Sequence, residues 1–300
     1  MPFSAKDVMR LREKTGCGMM DCKKALTHSN GDESAAIDYL REQGLAAASK
    51  KAGRIASEGI AFAMDTPKGG VIIEVNSETD FVAKNEDFQN FVKLCAKCAM
   101  ESQVKDVDSL LEVSKDGRSI KELLNEKILK IGENIKIRRF DCFEGLCSSY
   151  VHAGGKIAVL VNFECGSDVY NNEEFKSMAK DVAMQIAASH PLYLNQSEVP
   201  QEVIEHEKKI LADQAMSQGK PEAIAKRMVE GKIGKYFKEN CLLNQEFVKD
   251  SSMTVSQYID KVSKSIGVNI SVSLFARYER GEGLEKKNEN FAEEVSKALN

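Results

Sequence analysis

Apolar side chains recur at helical spacing from the start of the chain. Val8 and Leu11 fall on one face after Ser4, whose hydroxyl can accept from the free N–H groups of a first turn. Gly16-Cys17-Gly18 breaks that pattern, and a second helix is expected after Met20, with Cys22, Ala25 and Leu26 on one face. Asn30-Gly31 marks a turn, and Asp32 is placed to cap a third helix carrying Ala36, Ile37 and Leu40, which Gly44 should end. Short helices with tight connections predict a small three-helix bundle over 1–53, closed by a basic linker from Lys50 to Arg54.

Beyond that linker the pattern changes to short apolar runs, and it repeats. Gly69-Gly70-Val71-Ile72-Ile73-Glu74-Val75 is followed by Glu86-Asp87-Phe88 and Phe91-Val92. Gly154-Gly155-Lys156-Ile157-Ala158-Val159-Leu160-Val161 is followed by Glu173-Glu174-Phe175 and Met178-Ala179. The glycine pairs are offset by 85 positions (155 − 70) and the helical runs by 87 (175 − 88). Ile131-Gly132-Glu133-Asn134-Ile135-Lys136-Ile137 matches Ile266-Gly267-Val268-Asn269-Ile270-Ser271-Val272 at an offset of 135, with Phe140 against Phe275 and Phe143 against Tyr278. The larger offset leaves room for about 48 inserted residues (135 − 87). They are found as a helical run from Pro200 to Met216, a Gly219-Lys220-Pro221 turn, and a second run with Ile224, Met228 and Val229. That composition predicts an antiparallel helical hairpin of the coiled-coil type over about 198–238.

Each repeat reads as strand, glycine turn, strand, loop, helix and third strand. The expected fold is therefore α+β, with duplicated core subdomains at 54–140 and 141–283 built on small antiparallel sheets. Leu284 to Asn300, with Phe291, Val295 and Leu299 at helical spacing, is expected to be a C-terminal docking helix.

Composition narrows the function. The 300 residues carry 42 Lys and Arg against 46 Asp and Glu, a formal charge of -4, without the basic excess of a dedicated nucleic-acid binder. Apolar runs such as Ile157–Val161 are far shorter than a membrane span, and Met1–Asp7 does not resemble a secretory signal, so a cytoplasmic location is expected. The eight cysteines are then expected to be free thiols. Gly154-Gly155-Lys156-Ile157 lacks the spacing and the hydroxyl of a phosphate-binding loop. Cys95 and Cys98 have the spacing of a redox or metal pair, but they sit in an apolar helical run with no second pair to complete a zinc site. His28, His152, His190 and His206 form no metal motif. No cofactor, no metal and no catalytic group is expected.

The loop Asn76-Ser77-Glu78-Thr79-Asp80-Phe81-Val82-Ala83-Lys84-Asn85 is the informative segment. It sets a carboxylate beside a large aromatic in a connection expected at the surface, whereas the second repeat has Cys165-Gly166-Ser167-Asp168-Val169-Tyr170-Asn171 there. Either Phe81 packs into its own domain with Asp80 capping a helix, or the pair forms a wedge offered to a partner.

Thr79-Asp80-Phe81-Val82-Ala83-Lys84 resembles the signature loop of the translation elongation factor Ts family. Leu11-Arg12 through Thr15-Gly16, continuing over Met19-Met20-Asp21 to Lys24-Ala25-Leu26, is similar to a second family motif. Ile131–Ile135, and Ser217–Pro221 through Met228–Lys232, also resemble it. The resemblance runs in order along nearly the whole chain. It implies a ubiquitin-associated-like N-terminal bundle, two related core subdomains with a coiled-coil hairpin in the second, and a C-terminal module. The activity implied is guanine nucleotide exchange on elongation factor Tu. In this family the loop corresponding to Thr79, Asp80, Phe81 and Val82 enters near the GTPase's magnesium and nucleotide phosphates. Arg12, Met19 and Met20 are the implied N-terminal contacts, with core packing the alternative for the two methionines, and His152 is a further implied contact. The hairpin could serve self-association, partner contact or neither. The rival classes are a peptide- or ubiquitin-binding adaptor using the bundle, and a thiol enzyme built on Cys95 and Cys98.

Overall fold

The computed structural model describes residues 3–166, 168–217 and 222–285. The hairpin turn at Gly219-Lys220-Pro221 and all but the first two residues of the expected C-terminal helix lie outside the described residues.

The chain begins with α1 (Ala5–Thr15), α2 (Met19–His28) and α3 (Glu33–Lys51). Ser4 and Asp7 form a reciprocal cap at the start of α1, and the Asp32 side chain accepts from Ala35 N at the start of α3. The first repeat then runs β1 (Glu58–Thr66), β2 (Gly69–Ser77), α4 (Asp80–Ala83), α5 (Glu86–Ser102), α6 (Val107–Glu112), β3 (Ser114–Lys115), β4 (Arg118–Ser119), α7 (Ile120–Ile131) and β5 (Lys136–Glu144). The second runs β6 (Leu146–His152), β7 (Ile157–Cys165), α8 (Glu173–Ser189), α9 (Gln201–Ser217), α10 (Glu222–Asn240), β8 (Glu246–Phe247), β9 (Asp250–Thr254), α11 (Val255–Ile266) and β10 (Ile270–Glu279). Helices α9 and α10 are the inserted hairpin, and Lys232 Nζ reaches Gln214 Oε1 across it at 3.4 Å.

Two expectations fail in the first helices. Gly44 does not end α3, which continues through Lys51, so the supposed linker starts inside a helix. Here glycine is a packing residue: a Cβ at Gly44 would meet the Asn125 carbonyl oxygen of α7 at 3.3 Å. Lys51 Nζ then donates to Ile128 O at 3.3 Å, and Leu129 packs on the bundle's core. Thus α7 of the first repeat supports the bundle. The second helix also starts two residues earlier than expected, at Met19 instead of after Met20.

The duplication is close to residue-for-residue. Antiparallel sheets β1-β2-β5 and β10-β7-β6 place the middle strand of each copy alike. β2 and β7 are offset by 88 (157 − 69), α5 and α8 by 87 (173 − 86), and α7 and α11 by 135 (255 − 120). The last pair even shares its capping box, Ser119 with Glu122 and Thr254 with Gln257. The glycine pairs break the match, which explains their offset of 85. Gly154 and Gly155 make the β6–β7 turn at φ +65 and +96, whereas Gly69 and Gly70 are already in β2 and the turn falls at Pro67 and Lys68. Gly70 is required by the other repeat, since its Cβ would come within 2.5 Å of Leu160 Cδ1.

The period of two along the middle strands sorts their side chains. Val71, Ile73 and Val75 face α5 and α7, while Val159, Val161 and Phe163 face α8 and α11. The opposite faces meet in a seam of Ala61, Ala63, Ile72, Cys147, Ala158, Leu160 and Tyr278. Small residues on several strands let the two sheets approach there. At matched places in the middle strands stand Glu74 and Asn162, each opposite a bulge, at Arg138 in β5 and Ser273 in β10. In the first copy, fully buried Glu74 accepts from Arg138 and Arg139. In the second, Ser273 Oγ donates to the Asn162 side chain.

Candidate functional site

The Thr79–Lys84 segment is a single helical turn, α4, hung between β2 and α5. Its underside is fastened. Val82 and Ala83 are buried in the first repeat's core. The Thr79 hydroxyl donates to Glu133 Oε1 at 2.7 Å, and its backbone N donates to Glu133 Oε2 at 3.0 Å. One residue earlier, Glu78 Oε1 accepts from Asn134 N at 2.6 Å and lies 3.3 Å from Arg54. On the far side, Asn85 caps α5 by accepting from Asp87 N and Phe88 N, and Gln89 Nε2 donates back to Ala83 O at 3.1 Å. Few degrees of freedom are left to the residues between these anchors.

Those residues are Asp80 and Phe81. Phe81 is 77% exposed, the most exposed of the large hydrophobic side chains among the described residues. It therefore does not pack into its own domain, and Asp80 does not cap a helix. Asp80 Oδ2 instead accepts from Lys84 Nζ at 2.7 Å, and that ammonium also lies 5.7 Å from the Phe81 ring centre. The Lys84 hydrogen bond holds the Asp80 carboxyl below its ordinary value despite some desolvation, with help from the charge of Arg280. The turn thus presents an ionised carboxylate next to a bare aromatic ring.

Of the expected partner residues, Thr79 and Val82 are anchors beneath this turn, while Asp80 and Phe81 face outward. Arg12, Met19 and Met20 are exposed on α1 and α2, so core packing does not account for the methionines. His152 is exposed at the end of β6, its Nδ1 3.0 Å from the Tyr150 hydroxyl. Among the described residues, no hydrogen bond or ion pair links Arg12, Met19, Met20 or His152 to the turn. Glu133 was legible only as part of a motif, with no signal in the sequence for its grip on Thr79, 54 positions away. Met9 on α1 is exposed as well.

The buried thiols are in surroundings that disfavour the thiolate. Cys95 and Cys98 are buried in the first core, and burial pushes both thiols above their ordinary value. Cys17, Cys22, Cys147 and Cys241 are raised by burial as well. Among the described residues, no group of three or more His, Cys, Asp or Glu is arranged to hold a metal, and no helix is long and apolar enough to cross a membrane.

Fold and turn together define a class: a duplicated α+β protein that projects one aromatic side chain and its adjacent acid from a fixed scaffold. The family model described as Elongation factor TS matches residues 78–282. Elongation factor Ts of Clostridium perfringens (strain SM101) is 50% identical over 301 residues, covering 98% of this chain and 98% of that protein. Elongation factor Ts of Clostridium kluyveri (strain ATCC 8527) is 49% identical over 305 residues, covering 99% of each chain, and that of Clostridium novyi (strain NT) is 47% identical over the same length. The chain belongs to the elongation factor Ts family.

Proposed function

We propose that this chain is a guanine nucleotide exchange factor for elongation factor Tu, acting by binding alone and performing no catalysis of its own. The observation that carries the proposal is the exposure of Phe81 at 77% on a turn fastened from beneath by Thr79 and Val82. A rigid exposed aromatic is the usual anchor of a protein interface. On docking, Phe81 wedges between elements of the GTPase, and Asp80 stabilises the displaced arrangement. Magnesium demands near-ideal octahedral geometry and bridges protein oxygens to nucleotide phosphates, so a small shift of its ligands is enough to release it. Phosphate binding then weakens and GDP leaves faster. Coupling is reciprocal: nucleotide must weaken the factor's binding by the ratio in which the factor weakens nucleotide binding, which lets arriving GTP expel it. Exposed Arg12, Met19, Met20 and His152 add contact area away from the wedge, and methionine suits an adaptable apolar contact.

Release of a fluorescent GDP from elongation factor Tu, with and without substoichiometric chain, tests this directly. The wild-type chain should accelerate release catalytically. Phe81→Ala should lower the saturated rate by about thirtyfold, the equivalent of the ~2 kcal/mol typical of an aromatic anchor. Helical content should not change, because the ring has no place in the core. An unaltered rate in that variant would remove Phe81 from the mechanism.

A further inference from the structure

Past Glu279 the second repeat crosses onto the first. Gly281 N donates to buried Glu74 Oε1 at 2.8 Å, and Arg138 Nη2 donates to Glu282 O at 2.7 Å. The crossing is tight enough that a Cβ at Gly281 would sit 2.2 Å from the Ser57 carbonyl oxygen. Within this strap the Arg280 side chain reaches the edge of β1. Its Nη2 lies 2.8 Å from Glu58 Oε2, and its Nη1 donates to Gly59 O at 3.3 Å. Glu58 Oε2 is buried and has no hydrogen-bonded partner among the described residues, so the guanidinium charge is what compensates it.

The place of this clamp gives it meaning. Glu58 and Gly59 pair with Ser77 and Asn76, the last rungs of β2 before the chain enters the α4 turn. Arg280 therefore ties the root of that turn to the second repeat. The backbone frame does not need the side chain. Arg280 N donates to Lys156 O at 2.9 Å, and at the matched position of the first copy Gly145 N makes the equivalent bond to Lys68 O at 3.0 Å with no side chain at all. The guanidinium is thus an addition to a shared frame, made at the strand end from which the turn bearing Phe81 projects.

We propose that Arg280 is a positioning residue for the Asp80–Phe81 turn, fixing the β1–β2 end from which it projects to the second repeat, so that Phe81 is braced by both sheets when a partner presses on it. Its effect on exchange rests on the function proposed above, but the bracing itself is a property of the free chain.

The sequence contains no tryptophan, so F81W supplies a single fluorescent reporter on the turn. Time-resolved anisotropy would be compared in full-length F81W, F81W/R280M, F81W/R280K and F81W/E58Q, each checked for unchanged circular dichroism. Fast local motion of the indole should increase in R280M and E58Q, which remove the clamp from either side. It should stay near the parent value in R280K, which keeps a cation within reach of Glu58. With Phe81 restored, R280M should lower the saturated GDP-release rate by about two- to fivefold, the range of a partly exposed ion pair, leaving the half-saturating concentration unchanged. Indole motion equal in all four proteins would overturn the proposal, as would R280K behaving like R280M in both readouts. A parent chain that fails to accelerate GDP release would defeat the proposed function, and the anisotropy comparison would still decide the role of Arg280.

Discussion

Glu74→Gln tests the seam between the repeats. The Glu74 carboxylate is fully buried and accepts from Arg138 Nη1 at 3.0 and 3.2 Å, Arg139 Nε at 2.7 Å, Gly281 N at 2.8 Å and Asn76 Nδ2 at 3.1 Å. Glutamine keeps the shape, removes the charge, and turns an amide donor toward guanidinium donors. Breaking one side of a buried ion pair costs about 3–5 kcal/mol because the partner charge is stranded. Arg138 and Arg139 side chains remain 22% and 33% exposed, so water can reach them and the lower end, about 3 kcal/mol, applies. That corresponds to a fall in melting temperature of about 6–12 °C at roughly 2–4 °C per kcal/mol. The double variant Glu74→Asn with Arg138→Ser copies the Asn162–Ser273 pair of the second repeat. It should cost less than the sum of its single changes, by more than about 1 kcal/mol, the signature of directly coupled positions. Denaturant unfolding followed by far-ultraviolet circular dichroism gives both quantities. A Glu74→Gln loss below about 1 kcal/mol, as for an exposed pair, would refute the assignment of this cluster as a buried charge network.

Other outcomes follow from the same geometry. Thr79→Val strands one Glu133 oxygen and should destabilise by about 1–3 kcal/mol while lowering the exchange rate, measured by unfolding and GDP release together. Gly155→Ala should cost clearly more than Gly154→Ala. Both have positive φ, which costs ~1–2 kcal/mol for an L residue, but only at Gly155 does the new Cβ meet a neighbour, Ile60 Cγ2 at 2.6 Å. Burial, then the hydrogen bond to Asp181, push the Tyr258 phenol up to about 12. The folded chain holds this proton more tightly than the unfolded one, so the contribution is complete below the ordinary value near 10 and is lost as pH rises toward 12. Tyr258→Phe should flatten that alkaline loss in unfolding measurements across the same interval.

What was legible in the sequence was local. Ser4 and Asp32 announced their helices because a capping side chain acts within three residues. The repeat was legible because each copy rebuilds the same alternation of buried and exposed positions. The errors came where a residue's reason lies far away. Gly44 looked like a helix end, but its lack of a side chain serves a contact with Asn125. Gly69-Gly70 looked like a turn, but Gly70 makes room for Leu160 of the other copy. The two-residue strands β3, β4 and β8 are too short for any period to register. At the site, the Asp80-Phe81 pair stood out by its chemistry. Its fastening to Glu133 and its brace from Arg280 required the fold.

The duplication separates what holds the turn from what the turn presents. Val82 and Val169 occupy matched positions, and both are buried in their own cores. Asn85 and Asn172 match too, and each caps the helix that follows. These are the parts any copy needs to connect its middle strand to its helix. Between them, Phe81 corresponds to Asp168 at the same offset of 87 (168 − 81), and only the first copy offers a bare aromatic. The differences extend beneath and beside it, with Glu74 where the second copy has Asn162 and Arg280 where the first copy's own crossing has Gly145. Charged contacts replace neutral ones along the strap that joins the repeats, on the side that carries Phe81. An exposed aromatic gains nothing for the isolated fold, since its apolar surface stays in water. Charges added around its root without being needed by the shared frame are consistent with a turn shaped to bear load from outside the chain.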